Sequence, residues 1–251
     1  MASRSRWPNP EDDPFLVKSF ELLRGKWAEL PVSDTDRRHS HDCDGMSDDE
    51  ILSFWRKGAQ ATSADHRDWY QTLYRDSFRG KRLIDYGCGL AFDTLMYAQN
   101  GAQVTFVDLV ESNVKVVKRL AGLMGLRGCE FLYIEDLRSL DALNGDYDVV
   151  YCCGSMINAP LWVIRKEAQV LLRHLRVGGR WMELAYPRVR WEREGSVPFE
   201  LWGGQTDGGA PWMEWHDSKK VKSYLAPARF DVVFELDFHD HYFTWIDLIR
   251  R

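Results

Sequence analysis

From residue 81 to residue 186, short apolar runs alternate with amphipathic ones, and this alternation restricts the fold more than any other feature. The runs "RLIDY", "QVTFVDL", "CEFLYI", "YDVVYCC" and "RWMELAY" have strand length and composition. Between them lie "DTLMYAQNG", a segment starting at Ser112 and ending near Gly125, and "LWVIRKEAQVLLRHL", all with helical spacing. Strand and helix in strict alternation imply a parallel sheet whose crossover helices cover its faces. Two last runs, "RFDVVFELDF" and "YFTWIDLIR", meet at "HDH" and read as an antiparallel hairpin closing the sheet. The expected fold is therefore α/β and Rossmann-like. It has a seven-stranded sheet, mostly parallel with a C-terminal antiparallel hairpin, and helices on both faces.

The stretch "LIDYGCGLAFDTL" (83–95) places Asp85, Gly87, Cys88 and Gly89 at the joint between the first strand and its helix. A helix start carries unpaired N–H groups, and glycine removes the Cβ that keeps a ligand away from the main chain. Ligands of open α/β sheets sit at the carboxyl ends of the strands, so this turn is where a cofactor should bind. A dinucleotide site wants glycine at the first, third and sixth positions, which here are Gly87, Gly89 and Phe92. The sixth position fails. The turn instead suits a ligand lying across the strand ends without a pyrophosphate, and Asp85 is placed to hold an ammonium. Asp108, ending the second strand, is the residue type that accepts both hydrogen bonds of a ribose diol. Asp136 after the third strand is placed to meet an adenine amine, with Leu109 and Leu137 on the two sides of the ring.

The rest of the chain frames this site. Residues 1–45 carry Pro8, Pro10, Pro14 and Pro31 and read as an irregular N-terminal arm with one helix near Phe15–Leu23. The beginning "MASRSRWPNPEDDPF" has no apolar core of the secretory type, so a cytoplasmic protein is expected. No apolar run has the length of a membrane span. In "HSHDCD" (39–44), His39, His41, Asp42 and Cys43 are possible metal ligands, but a polar loop is the commoner reading and no metal is assigned. Five cysteines without metal-type pairing are expected as free thiols. Ser47 and Glu50 form a capping box opening a helix. A second helix over 64–78 carries Trp69, Tyr70, Leu73, Tyr74 and Phe78. Residues 46–79 read as a helical lid whose aromatics either pack two helices together or roof the site. Residues 46–251 form one domain, interrupted by an inserted lid at 187–217.

At this point the chain resembles the class I S-adenosylmethionine-dependent methyltransferases. The resemblance is carried by "LIDYGCGLAFD" (83–93), "VTFVDLVESNV" (104–114), "IEDL" (134–137), "YDVVYCCGSM" (147–156), "LRVGGRW" (175–181) and "FTWIDLIRR" (243–251). Ala91 stands where the family usually has a third glycine. The resemblance implies S-adenosyl-L-methionine as cofactor, with Gly87 and Gly89 against its methionine part and Asp85 near its amine. It also implies Asp108 on the ribose, Asp136 on the adenine amine, Cys153 and Gly154 beside the sulfonium, and Trp69 and Tyr70 in a lid.

The acceptor has to be read from what the family pattern leaves over. Candidates beyond the fourth and fifth strands are Asn158, Glu183, Tyr186, Glu214, His216, Asp217, His239 and His241. His216 is preferred as a catalytic base because histidine titrates near neutrality and lies in the insert between Trp215 and Asp217; Glu214 is its partner candidate. From Arg188 to Asp217 the insert holds six acids (192, 194, 200, 207, 214, 217) against three arginines, with Trp191, Trp202, Trp212 and Trp215 among them. Aromatic faces with carboxylates between them favour a cationic ligand, so N-methylation of an amine-bearing small molecule, an amino sugar or specialised metabolite, is expected. Packing of the loop on its own domain explains the same residues. The net charge of −5 and the acidic insert argue against a nucleic-acid partner. O-methylation, a protein or RNA acceptor, and a non-catalytic cofactor-binding module are the alternatives. The oligomeric state is not legible.

Overall fold

The computed structural model describes residues 14–31, 37–206 and 208–251; Pro8, Pro10 and Asp207, invoked above, lie outside them. The central sheet has seven strands in the order β5-β4-β3-β6-β7-β9-β8. In chain order these are β3 (Arg82–Tyr86), β4 (Gln103–Asp108), β5 (Glu130–Tyr133), β6 (Tyr147–Cys153), β7 (Leu175–Ala185), β8 (Phe230–Phe238) and β9 (Phe243–Arg250). β3 to β7 pair in parallel, and β9 runs antiparallel to both β7 and β8. The strand order reverses between β3 and β6, so the ligand crevice of an open sheet falls at their carboxyl ends.

Alternate residues of the strands feed two cores. On one face, Leu83, Val104, Phe106, Tyr151, Met182 and Trp245 pack under α2 (Asp48–Thr62), α3 (Asp68–Arg75), α4 (Phe92–Gln99) and α5 (Glu111–Leu123). On the other, Ile84, Val107, Val150, Trp181 and Ile246 pack under α6 (Leu161–Leu171) and α9 (Ser218–Leu225). The inner strands β3, β4, β6 and β9 are thus buried on both sides, which explains why they read as continuous apolar runs, while the edge strand β8 is largely exposed. The capping box forms as expected: Glu50 N–H donates to Ser47 Oγ, and Ser47 N–H donates to Glu50 Oε2 at 2.7 Å. The helix expected over 64–78 is shorter. A wide turn at Ser63–Arg67 precedes α3, because α2 and α3 run almost continuously and the extra residue is absorbed as a π-type turn.

The N-terminal segment is part of the core. Helix α1 (Pro14–Trp27) buries Leu16, Phe20 and Leu23 in the same cluster as Val107, Ile134 and Leu137. Arg24 at its end donates to the carbonyls of Leu109 and Glu135, both at 2.9 Å, so the helix is fastened across the ends of β4 and β5. A short antiparallel pair, β1 (Glu29–Pro31) and β2 (Arg37–His39), leads into a 3-10 turn at Ser40–Gly45. "HSHDCD" is that turn: Cys43 is buried, and Arg119 donates to the carbonyls of Cys43 and Met46 and to Asp48. Phe20→Ala is expected to cost about 3–5 kcal/mol in urea unfolding, the penalty of emptying a packed aromatic site. A change within ~0.5 kcal/mol, as for an exposed arm, would remove α1 from the core.

Candidate functional site

The glycine turn owes its shape to the strand beside it. Gly87 has φ +74°, and a Cβ there would lie 2.5 Å from Ser155 Cβ; Ser155 Oγ donates to the Tyr86 carbonyl at 2.5 Å. The missing side chain at Gly87 thus admits the loop after β6 and joins the two strand ends. Gly87 and Cys88 donate their N–H groups to the Val107 carbonyl. Gly89 donates to Asp108 Oδ2 at 2.9 Å. Ala91, in the third-glycine position, is left-handed at φ +51° and caps α4, so the backbone keeps the family's geometry at some cost in strain. At Gly154 a Cβ would meet nothing within 4 Å, which leaves open room beside the end of β6.

Asp85, Asp93 and Asp108 are all buried at these strand ends. Burial pushes the Asp85 carboxyl up to about 8; a hydrogen bond from Thr94 works against this, while Asp93 and Asp108 add to it. Burial likewise raises Asp108, opposed by the N–H groups of Gly89 and Val110 and by the Asn113 amide. Asp93 accepts from Gln71 Nε2 at 2.6 Å, Tyr151 Oη at 2.7 Å and Tyr70 Oη at 3.3 Å. Three gathered carboxyls, one of them held near neutrality by burial, suit a ligand that brings positive charge. Asp136 lies at the edge of β5, capping the 3-10 turn Leu137–Ala142 and paired with Arg138. Leu137 is buried and Leu109 half-buried, both beneath α1.

The lid aromatics divide. Tyr70 is buried, stacks on Trp245 at 4.3 Å and reaches Cys153 Sγ at 4.0 Å, so it stands at the site. Trp69 turns instead to the C-terminal hairpin and meets Phe234, Phe238 and Trp245 edge-on. Cys153 is half-buried, its thiol pushed up by burial and Asp93 and lowered by Arg67.

The insert is a folded cap. It contains α7 (Arg188–Arg193) and α8 (Phe199–Thr206), and Trp202 and Met213 form a small core with Ile157 and Ala185. Its return segment is tied to the loops after β6 and β7 by Glu214 N–H to the Ile157 carbonyl and His216 N–H to the Tyr186 carbonyl, at 2.8 and 2.9 Å. Lys26, at the end of α1, donates to the Gly208 carbonyl, so arm and insert meet. Three of the acids expected to face a cationic ligand have basic partners, two inside the cap and one on α9. Glu192 pairs with Arg188, Glu194 with Arg190 and the Trp202 indole, and Glu214 with Lys220 and the Trp212 indole. Asp217 caps α9 through the Lys220 N–H. The cation on the Trp215 face is Lys220, at 3.8 Å. Packing, the plainer of the two readings, is what these tryptophans do.

His216 is fully buried. Its Nδ1 lies 2.9 Å from Glu183 Oε2, and its Nε2 has no partner among the described residues. Glu183 Oε1 accepts from the Trp181 indole and the Tyr224 hydroxyl. Asn158 donates to the Gly154 carbonyl and leaves its own Oδ1 unpartnered. His239 and His241 are left-handed residues of the β8–β9 turn, away from this pair. Sequence reading missed Arg67 and Asp93. Neither carries a clear local signal: Arg67 stands among Asp65, His66 and Asp68, and Asp93 is one acid in the first turn of α4.

A seven-stranded sheet of this order, with a glycine turn and acids at the ends of β3, β4 and β5, defines the Rossmann-like methyltransferase class. Residues 83–179 match the family described as a methyltransferase domain. The ubiquinone biosynthesis O-methyltransferase of Bordetella pertussis is 38% identical over 163 residues, covering 63% of this chain and 56% of that protein. The same enzyme of Bordetella avium is 36% identical over 95 residues, 37% of this chain and 38% of that one. This chain therefore spans at most a little over half the length of these relatives. Magnesium protoporphyrin IX methyltransferase from Synechocystis, with bound S-adenosylhomocysteine, superimposes with a TM-score of 0.55 at 18% identity, covering 94% of this chain and 96% of that one. The cofactor is S-adenosylmethionine. Asp85, Gly89, Asp108, Asp136, Cys153 and Gly154, the residues expected to hold it, lie at or just beyond the ends of β3, β4, β5 and β6. Among the described residues no helix is long and apolar enough to cross a membrane.

Proposed function

We propose that this chain transfers a methyl group from S-adenosylmethionine to a hydroxyl of a small organic acceptor, with His216 receiving the hydroxyl proton. The observation that carries this reading is the buried His216, oriented through Nδ1 by Glu183 while Nε2 is left without a partner. Bound at the strand ends, the cofactor supplies a methyl group already activated on a sulfonium. The chain has only to align the acceptor, exclude water and take a proton. A hydroxyl needs that proton removed, whereas a neutral amine does not, so an oriented, proton-accepting imidazole favours an oxygen nucleophile. The names of the curated relatives point the same way. An amine acceptor loses part of its argument, because Glu192, Glu194 and Glu214 already face Arg188, Arg190 and Lys220. Both oxygens of Glu214 are engaged within the cap, which leaves His216 as the base.

The test is release of S-adenosylhomocysteine with matched phenols, alcohols and primary amines, and mass spectrometry of the product. O-methylated products are expected. Turnover confined to amines would sink the hydroxyl reading, and cofactor binding without turnover on any acceptor would turn the chain into a binding module.

A further inference from the structure

We propose that Arg67 is an anion receptor for the acceptor, so that the preferred acceptors carry a carboxylate as well as the methylated group; this rests on the functional reading above. Arg67 ends the π-type turn Ser63–Arg67, the kind of helix irregularity that often marks a functional position. Its Nη1 lies 3.8 Å from Cys153 Sγ, and its guanidinium lies 5.9 Å from the centre of the Phe243 ring. Cys153 ends β6 and Phe243 begins β9, with β7 between them. Arg67 therefore stands over the β6–β7–β9 half of the strand-end edge. The acids assigned to ribose and adenine, Asp108 and Asp136, lie in the other half, on β4 and beyond β5.

What sets Arg67 apart is its lack of a proper partner. A guanidinium has five donors and is always charged. The other arginines drawn into this fold are satisfied: Arg190 by Glu194, Arg180 by Asp247, and Arg24 by two carbonyls. For Arg67, among the described residues, there is one weak thiol contact and no carboxylate at ion-pair distance. Asp93 is near enough to act on it electrostatically, but the Asp93 oxygens already accept from Gln71, Tyr70 and Tyr151. Withdrawing a guanidinium from water without an acceptor is costly, and a ligand carboxylate meeting its fork edge would remove that cost. There is room for such a ligand next to the thiol contact, because nothing stands within 4 Å of a Cβ built on Gly154.

The test has a binding arm that needs no turnover. Benzoate and benzamide are titrated into the wild-type protein saturated with S-adenosylhomocysteine, with tryptophan fluorescence as the readout, and the titrations are repeated with Arg67→Gln and Arg67→Lys. Benzoate is expected to bind at least tenfold more tightly than benzamide. Arg67→Gln should abolish that preference, and Arg67→Lys should restore it in part. In turnover, a phenol bearing a carboxylate should show a 10- to 100-fold higher KM in Arg67→Gln with kcat retained, while its carboxamide analogue is unaffected. Equal binding of benzoate and benzamide to the wild type overturns the proposal. So does a Gln variant that weakens S-adenosylhomocysteine itself, since that assigns Arg67 to the cofactor's own carboxylate. If benzoate discriminates but no hydroxyl acceptor is turned over, the functional reading fails and the anion site stands. Thermal unfolding identifies a variant that does not fold, and the Lys variant then carries the comparison.

Discussion

His216→Gln is expected to lower kcat by about 10²- to 10⁴-fold, the usual worth of a positioned general base, while the Kd for S-adenosylhomocysteine stays within a factor of two. Glutamine is chosen because its amide can still donate to Glu183, so the buried carboxylate keeps a partner, but it cannot take up a proton. His216→Ala would add a cavity and an unpaired Glu183, which confuses chemistry with folding. Glu183→Gln acts one step back. Its Oε2 orients the imidazole, and its Oε1 accepts from Trp181 and Tyr224, so kcat should fall while the acceptor KM is held. These effects would be measured as kcat and KM with the cofactor saturating, beside the unfolding temperature. Unchanged kcat in a folded Gln variant would leave the Glu183–His216 pair as part of the packing between β7 and α9.

A difference in unfolding free energy between the wild type and Asp85→Asn is expected to grow as pH rises from about 4 to about 8. The folded-state carboxyl is raised by burial to about 8, against an ordinary value near 3.8. Its contribution is therefore fully present below pH 3.8, where both states hold the proton. Above that the unfolded chain ionises and the folded one does not, so wild-type stability falls by up to ~1.4 kcal/mol per pH unit until Asp85 ionises near pH 8. Asparagine still accepts the Thr94 hydroxyl but has no proton to lose, so it gains on the wild type across that window. An ammonium arriving beside Asp85 should reverse the penalty and expel the proton. S-adenosylmethionine binding near pH 7 is thus expected to release up to one proton, read by calorimetry in buffers of different ionisation enthalpy. Asp85→Asn should abolish the release and weaken the cofactor. A flat stability difference together with proton-neutral binding would show that Asp85 is already ionised and is not the amine's partner.

Asp108 shows how far such a site can be read ahead of the structure. Its place at the end of β4 follows from the run "QVTFVDL", and its residue type there is what raises the expectation of a ribose. That it also accepts the N–H groups of Gly89 and Val110 does not follow, and Asp108→Ala will therefore loosen the turn as well as the cofactor. Gly87 is similar. The missing side chain at this strand-to-helix joint is legible, but the positive φ and the neighbour that excludes a Cβ, Ser155, sixty-eight residues further on, are not.

By itself, the sequence determined the parallel order of strands and helices, the reversing hairpin and the chemical types at the strand ends. These depend on periodicity and turn chemistry within a few residues, which backbone sterics impose wherever the run occurs. Only the tertiary structure decided what those side chains meet. The insert looked like an acidic aromatic wall, yet Glu192, Glu194 and Glu214 are taken by Arg188, Arg190 and Lys220, and Trp202 is buried in a small core with Ile157, Ala185 and Met213. The arm looked peripheral, yet α1 buries three apolar residues and ties β4 to β5. Arg67 drew no expectation from the sequence, yet it alone among the arginines compared was drawn in without an acceptor among the described residues. Whether a charge is spent internally or left for a ligand depends on which opposite charge packing brings within about 4 Å, and local sequence carries no record of that distance.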